Sequence, residues 1–125
     1  MDQHNTQALA FFQRRYSTIR LAARGADVAL LSDSDGYVTY GQDAEHLVKA
    51  MKMRVLATTL GIEKDKPFRT VVLPPDRVAE SIKALTEQGL SVALIDRVGY
   101  RTVCIALIPS SKTREPEPVE EESFV

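Results

Sequence analysis

Two aspartates alternate in Ser32-Asp33-Ser34-Asp35-Gly36, the spacing that opens a calcium-binding loop. That loop also needs an oxygen ligand at position 31 and a bidentate glutamate at position 42. Leu31 and Gln42 stand there, so the run reads as a turn. His4 and His46 have no cysteine or second histidine at ligand spacing, which leaves no zinc site. Cys104 has no histidine in the C-terminal half to take its proton, and no Gly-x-Ser-x-Gly is present. The six glycines stand apart and none precedes a Lys-Ser or Lys-Thr pair, so no phosphate-cradling loop is present. Glu63-Lys64-Asp65-Lys66 holds the acidic and basic residue types of a metal-dependent nuclease, but on what reads as a flexible polar connection. No catalytic residue, metal or cofactor is implied, and the chain reads as a binding module, not an enzyme.

Binding chemistry is better represented. Arg54, Lys64, Lys66 and Arg69 fall within one short stretch and suit contact with phosphates; their other use is a solvated rim. Tyr37 has a ring that can stack on a base, against the alternative of a strand tyrosine packed on its sheet. An N-terminal helix carries Gln13, Arg14, Arg20 and Arg24 on one face, with Gln7 and Arg15 near its margin, which we read as a solvated face.

The elements that must position these residues follow from periodicity. Leu9, Phe12, Tyr16, Ile19 and Ala23 recur at three- and four-residue steps, predicting a helix from a Thr6 cap to a Gly25 stop. Asp27–Leu31 and Tyr37–Tyr40 read as strands joined by an Asp-Gly turn in which glycine supplies positive φ. Gln42–Met53 is helical by its Ala44, Leu47, Val48 and Met51 spacing. Arg54–Thr58 reads as a short strand, Gly61–Pro67 as a polar connection, and Phe68–Leu73 as a strand stopped by Pro74-Pro75. A third helix starts from Asp76 as N-cap, buries Val78, Ile82 and Leu85, and stops at Gly89. Leu90–Arg97 and Tyr100–Ile108 form a hairpin around Val98-Gly99. The order predicts a single α/β (α+β) domain, a mixed sheet of about six strands flanked by three helices.

With 125 residues, 44% apolar and 26% charged, one core is enough for stability without disulfides. The single cysteine lies in an apolar run and is expected in that core. The last fourteen residues hold two basic and five acidic side chains, so the remainder carries +2 against a net charge of −1. Mild positivity permits phosphate contact without demanding it. Residues 1–5 are expected to be a flexible N-terminus, 6–109 the domain, and 110–125 a disordered acidic tail too polar to offset its ordering entropy. The polar N-terminus has no leader pattern and no window suits a membrane span, so the expected location is cytoplasmic.

Two stretches carry a resemblance. Leu73–Arg97 resembles the segment of the MutS N-terminal domain in which a proline turn opens a helix, followed by a glycine and a Ser-Val-Ala strand; Pro74, Val78, Leu85, Gly89, Ser91, Val92 and Ala93 fall in register. Ala26–Leu31 through Tyr40-Gly-Gln-Asp-Ala44 resembles that domain's first hairpin and its Asp-Ala helix start, and with the N-terminal helix the likeness spans about residues 7–98. The resemblance implies the mismatch-recognition fold, here as a divergent stand-alone domain without the family's ATPase, clamp and lever domains. In that family a Phe-x-Glu motif sets a ring beside the mismatched base and a carboxylate onto it. Counted back from Asp43-Ala44, those positions hold Gly36 and Val38, and neither can do that work.

The expectation that results is sequence-independent, mismatch-independent contact with duplex or single-stranded DNA through the Arg54–Arg69 region. Two alternatives stay open: a protein-interaction adaptor that keeps the fold without binding DNA, with a protein partner supplying enzymatic activity, and a degenerate nuclease-like domain.

Overall fold

The computed structural model describes residues 3–34, 36–52, 55 and 57–111. The expected acidic tail therefore lies outside the described residues from position 112 onward, as does Arg54.

Among the described residues three helices and six strands follow in the order α1 (Gln3–Ala22), β1 (Val28–Asp33), β2 (Gly36–Tyr40), α2 (Gly41–Met51), β3 (Ala57–Glu63), β4 (Lys66–Leu73), α3 (Pro75–Glu87), β5 (Val92–Val98) and β6 (Arg101–Ile108). The strands form one sheet in the order β3-β4-β2-β1-β5-β6. All neighbours are antiparallel except β1 and β5, which pair in parallel from Val28↔Val92 to Leu31↔Ile95. The mixed sheet with three flanking helices is the predicted architecture.

Period-two alternation along the strands divides the core into two layers. Ala29, Leu31, Val38, Tyr40, Phe68, Ala93 and Ile95 meet Ile19 of α1 and Ala23 just beyond its end, with Leu9, Phe12 and Tyr16 packed alongside. Val28, Leu30, Val71, Leu73 and Val92 meet Ala44, Leu47, Ala50 and Met51 of α2 and Leu85 of α3 on the other face. The helical stripes read from the sequence are the faces that pack. Cys104 is half-buried against the α1 layer rather than enclosed.

Several local expectations are corrected. The polar connection Gly61–Pro67 is a hairpin: β3 runs to Glu63, β4 starts at Lys66, and Ile62 pairs with Pro67. Lys64 and Asp65 both have positive φ (51° and 66°), as a two-residue type I′ turn requires, though neither is the glycine or asparagine that announces one. Pro67 is tolerated because β4 has β3 as its only neighbour there, the pairing with β2 beginning at Thr70. Helix α1 begins before Thr6, so that residue lies within the helix instead of capping it. Helix α3 is opened by Pro74 at the cap and Pro75 just inside, with no side-chain cap bond; Asp76 sits in the first turn.

Gly36 is present for a different reason from the one expected. It does not use positive φ; Ser34 does, at 50°. A Cβ on Gly36 would lie 2.0 Å from the carbonyl oxygen of Leu73 and 3.1 Å from its carbon, so β4 crosses where a side chain would stand.

Candidate nucleic-acid interface

Where α1, the start of α2 and the β3–β4 hairpin meet, a cleft of about 700 Å³ opens. Its floor depends on Gly41, whose φ of 59° and missing side chain let the Tyr16 and Phe68 rings close over it. A Cβ there would sit 2.9 Å from Tyr16 and 3.0 Å from Phe68. The two rings meet edge to face with centroids 6.0 Å apart, an arrangement aromatic quadrupoles favour.

Behind this floor a buried carboxylate ties three elements together. Asp43, 2% exposed, accepts from the Arg20 guanidinium at 2.8 Å, the Ala29 N–H at 2.9 Å and the Tyr16 hydroxyl at 3.1 Å. Arg20 also donates to the Ala26 carbonyl. Arg20 therefore does not belong to a solvated face; it fastens α1 to α2 and to the segment leading into β1. Burial pushes the Asp43 carboxyl up, while the Ala29 N–H and the Arg20 charge pull it back. Burial, and then the Asp43 charge, push the Tyr16 phenol up to about 12.

The rim carries the basic residues. Lys64 and Lys66 are exposed on the hairpin, and neither has a carboxylate at ion-pair distance among the described side chains. Arg69 reaches Glu45 of α2 at 3.4 Å, with both side chains more than a third exposed. That is longer than the ~2.7–2.9 Å of a tight charge-assisted bond, and an exposed pair of this kind is worth about 0–1 kcal/mol. The Arg69 charge thus stays available to a stronger anion. The other carboxylate oxygen of Glu45 is enclosed without a hydrogen-bond partner.

Three of the residues singled out in the sequence, Lys64, Lys66 and Arg69, line this one cleft. Tyr37 does not join them. It pairs with Leu73, seven residues along β4 from Lys66, on the order of 23 Å away at strand rise. There its ring packs on the α2–α3 layer beside Pro75 and Val78. Val38 is buried in the α1 layer, 4% exposed. Gln13, read from the sequence as part of a solvated helix face, also lines the cleft, together with Ser17, Gln42 and Glu45, which sequence reasoning did not place in a site. Their three- and four-residue spacings along α1 and α2 put each pair on one face, but the meeting of the two helices was not visible.

The sequence profile of the family described as MutS domain I matches residues 11–103, three-quarters of the chain. The chain belongs to the MutS domain I family. No curated protein matches it. Domain I of MutS is a DNA-binding, non-catalytic domain, which gives the basic cleft its setting. In this MutS domain I the two positions assigned by resemblance to the mismatch reader are closed to it. Gly36 has no room for even a methyl group, and Val38 points into the core. Among the described residues no helix is long and apolar enough to cross a membrane.

Proposed function

We propose that this domain contacts the DNA backbone through Lys64, Lys66 and Arg69, without sequence preference and without reading mismatches, and that it performs no chemistry itself. The observation that carries this reading is the gathering of three cationic side chains on the rim of one cleft in a domain of a DNA-binding family. The hairpin turn holds Lys64 and Lys66 two residues apart at the tip of a strand pair, where they can follow adjacent phosphates. Phosphates would take Arg69 from its long contact with Glu45. A Lys64→Glu/Lys66→Glu variant leaves the core untouched and replaces two attractions with two repulsions. Duplex affinity measured by fluorescence anisotropy at low salt is expected to fall by roughly tenfold or more. Unchanged affinity would remove the reading.

One observation favours a second reading, the protein-interaction adaptor. Strand β6 is an edge of the sheet, eight residues long, with Ile105 and Leu107 about half-exposed. Such an edge can accept a partner strand. It lies on the opposite edge of the sheet from the basic hairpin, so under this reading the same charge reversal leaves partner capture unchanged, whereas under the first reading it weakens duplex binding. Cleavage of DNA on addition of magnesium or manganese would instead restore the nuclease-like reading.

A further inference from the structure

A second cleft, of about 480 Å³, lies on the α1 face of the sheet at the far side from the β3–β4 hairpin, between α1 and the β5–β6 hairpin. Three arginines line it: Arg14 and Arg15 from α1 and Arg97 from the end of β5. Among the described residues none of the three has a carboxylate at ion-pair distance. Asp33 and Asp96, on the adjoining strands, are not part of its lining. Asp33, two residues beyond Leu31 on the same face, offsets part of this charge from outside the lining, but three like charges within one lining still repel, and that repulsion is relieved when an anion enters. The Arg15 Nε–H is itself enclosed and donates to no acceptor, a polar group left unsatisfied inside the protein.

Two aromatic rings border the same cleft. Tyr100 sits fully exposed on the two-residue turn between β5 and β6, and Phe11 of α1 is about half-exposed. Arg97 and Thr102 face each other across the strand pair just below that turn, so the ring, a guanidinium and a hydroxyl are presented by one short hairpin. Exposed rings interleaved with arginines are the means by which unpaired nucleotides are held, bases stacking on the rings and phosphates on the guanidinium groups. A cleft of this volume admits one nucleotide-sized ligand. A duplex could not use it in that way, because its bases are already stacked and paired.

We infer that the cleft between α1 and the β5–β6 hairpin binds an unpaired nucleotide, its base against Tyr100 and its phosphate on Arg14, Arg15 and Arg97. The source of that unit is either a free mononucleotide or a single strand. The site is separate from the basic hairpin and does not depend on duplex contact there.

Amide chemical-shift mapping of the full chain tests it, with dTMP, a six-residue oligothymidylate and tripolyphosphate titrated in turn. Saturating shifts are expected at residues 97–102 and along the Arg14–Thr18 turn of α1. Shifts with dTMP assign the site to free nucleotides, and shifts with the oligothymidylate alone assign it to strands; either supports the inference. Tyr100→Ala should weaken binding about tenfold, and Arg14→Glu/Arg97→Glu should abolish it. All three side chains are exposed, and neither variant should alter the dispersion of the spectrum. Shifts confined to residues 64–69, or tripolyphosphate reproducing the nucleotide shifts with Tyr100→Ala indifferent, would overturn it. Because the two clefts give separate sets of shifts, failure here is distinguishable from failure of duplex contact at the β3–β4 hairpin.

Discussion

At the scale of single residues, the molecule is defined by what two small positions forbid. Gly36 faces the Leu73 carbonyl at a distance no Cβ tolerates, so Gly36→Ala must push β2 from β4. A loss of about 3 kcal/mol is expected, at the upper end of overpacking costs, read as a shift of the urea midpoint. For the same reason Gly36→Phe/Val38→Glu should unfold the domain instead of restoring a mismatch reader. Asp43 makes the opposite point, since one buried carboxylate fastens α1, α2 and β1. Its partner Tyr16 supplies a pH signature. The folded-state phenol titrates near 12 against an ordinary value of 10, so the neutral form is favoured by folding. The associated stability is fully present below pH 10 and is lost as the pH rises towards 12. Absorbance of tyrosinate at 295 nm should show a late-titrating phenol that disappears in Tyr16→Phe; an unchanged titration would contradict the assignment.

At the scale of elements, legibility varied with how much of each signal is local. The stripes Leu9–Phe12–Tyr16–Ile19 and Val78–Ile82–Leu85 name their own buried faces, because helical spacing alone decides which side chains point together. The β3–β4 hairpin was hidden because its turn is Lys64-Asp65. Side chains at positive φ are uncommon, and the flanking Gly61 and Pro67 imitate a loop. The pairing with β2 and the packing of Leu9 over Gly61 hold the hairpin instead, and both are long-range. That origin implies residual strain at the turn. Asp65→Gly relieves it, and a gain of roughly 0.5–1 kcal/mol is expected in chemical denaturation. The basic residues were likewise visible as a list, but the cleft was not. It requires Gln13 and Ser17 of α1 to stand opposite Gln42 and Glu45 of α2, an encounter set by Asp43 and Arg20 across more than twenty residues.

At the scale of the whole molecule, topology sets two basic clefts apart. The hairpin with Lys64 and Lys66 is at one edge of the sheet, and the Arg97–Tyr100 hairpin and the β6 edge are at the other. On the proposed reading a duplex is held on one flank, and the other is left free for an unpaired nucleotide or a partner strand. Its modest net charge means that attraction comes from local clusters rather than from a uniformly positive surface, so binding should be weak and strongly dependent on salt. Three phosphate contacts would release about three counterions, giving a slope near −2.7 in the logarithm of affinity against the logarithm of salt concentration.

The most direct test is an anisotropy titration of matched and single-mismatch duplexes at 50 and 200 mM salt. Equal affinities for the two duplexes are expected, both weakening by about 40-fold between the two salt concentrations. A clear preference for the mismatched duplex, or no binding to either at the lower salt, would contradict the proposal that the domain grips phosphates without reading mismatches.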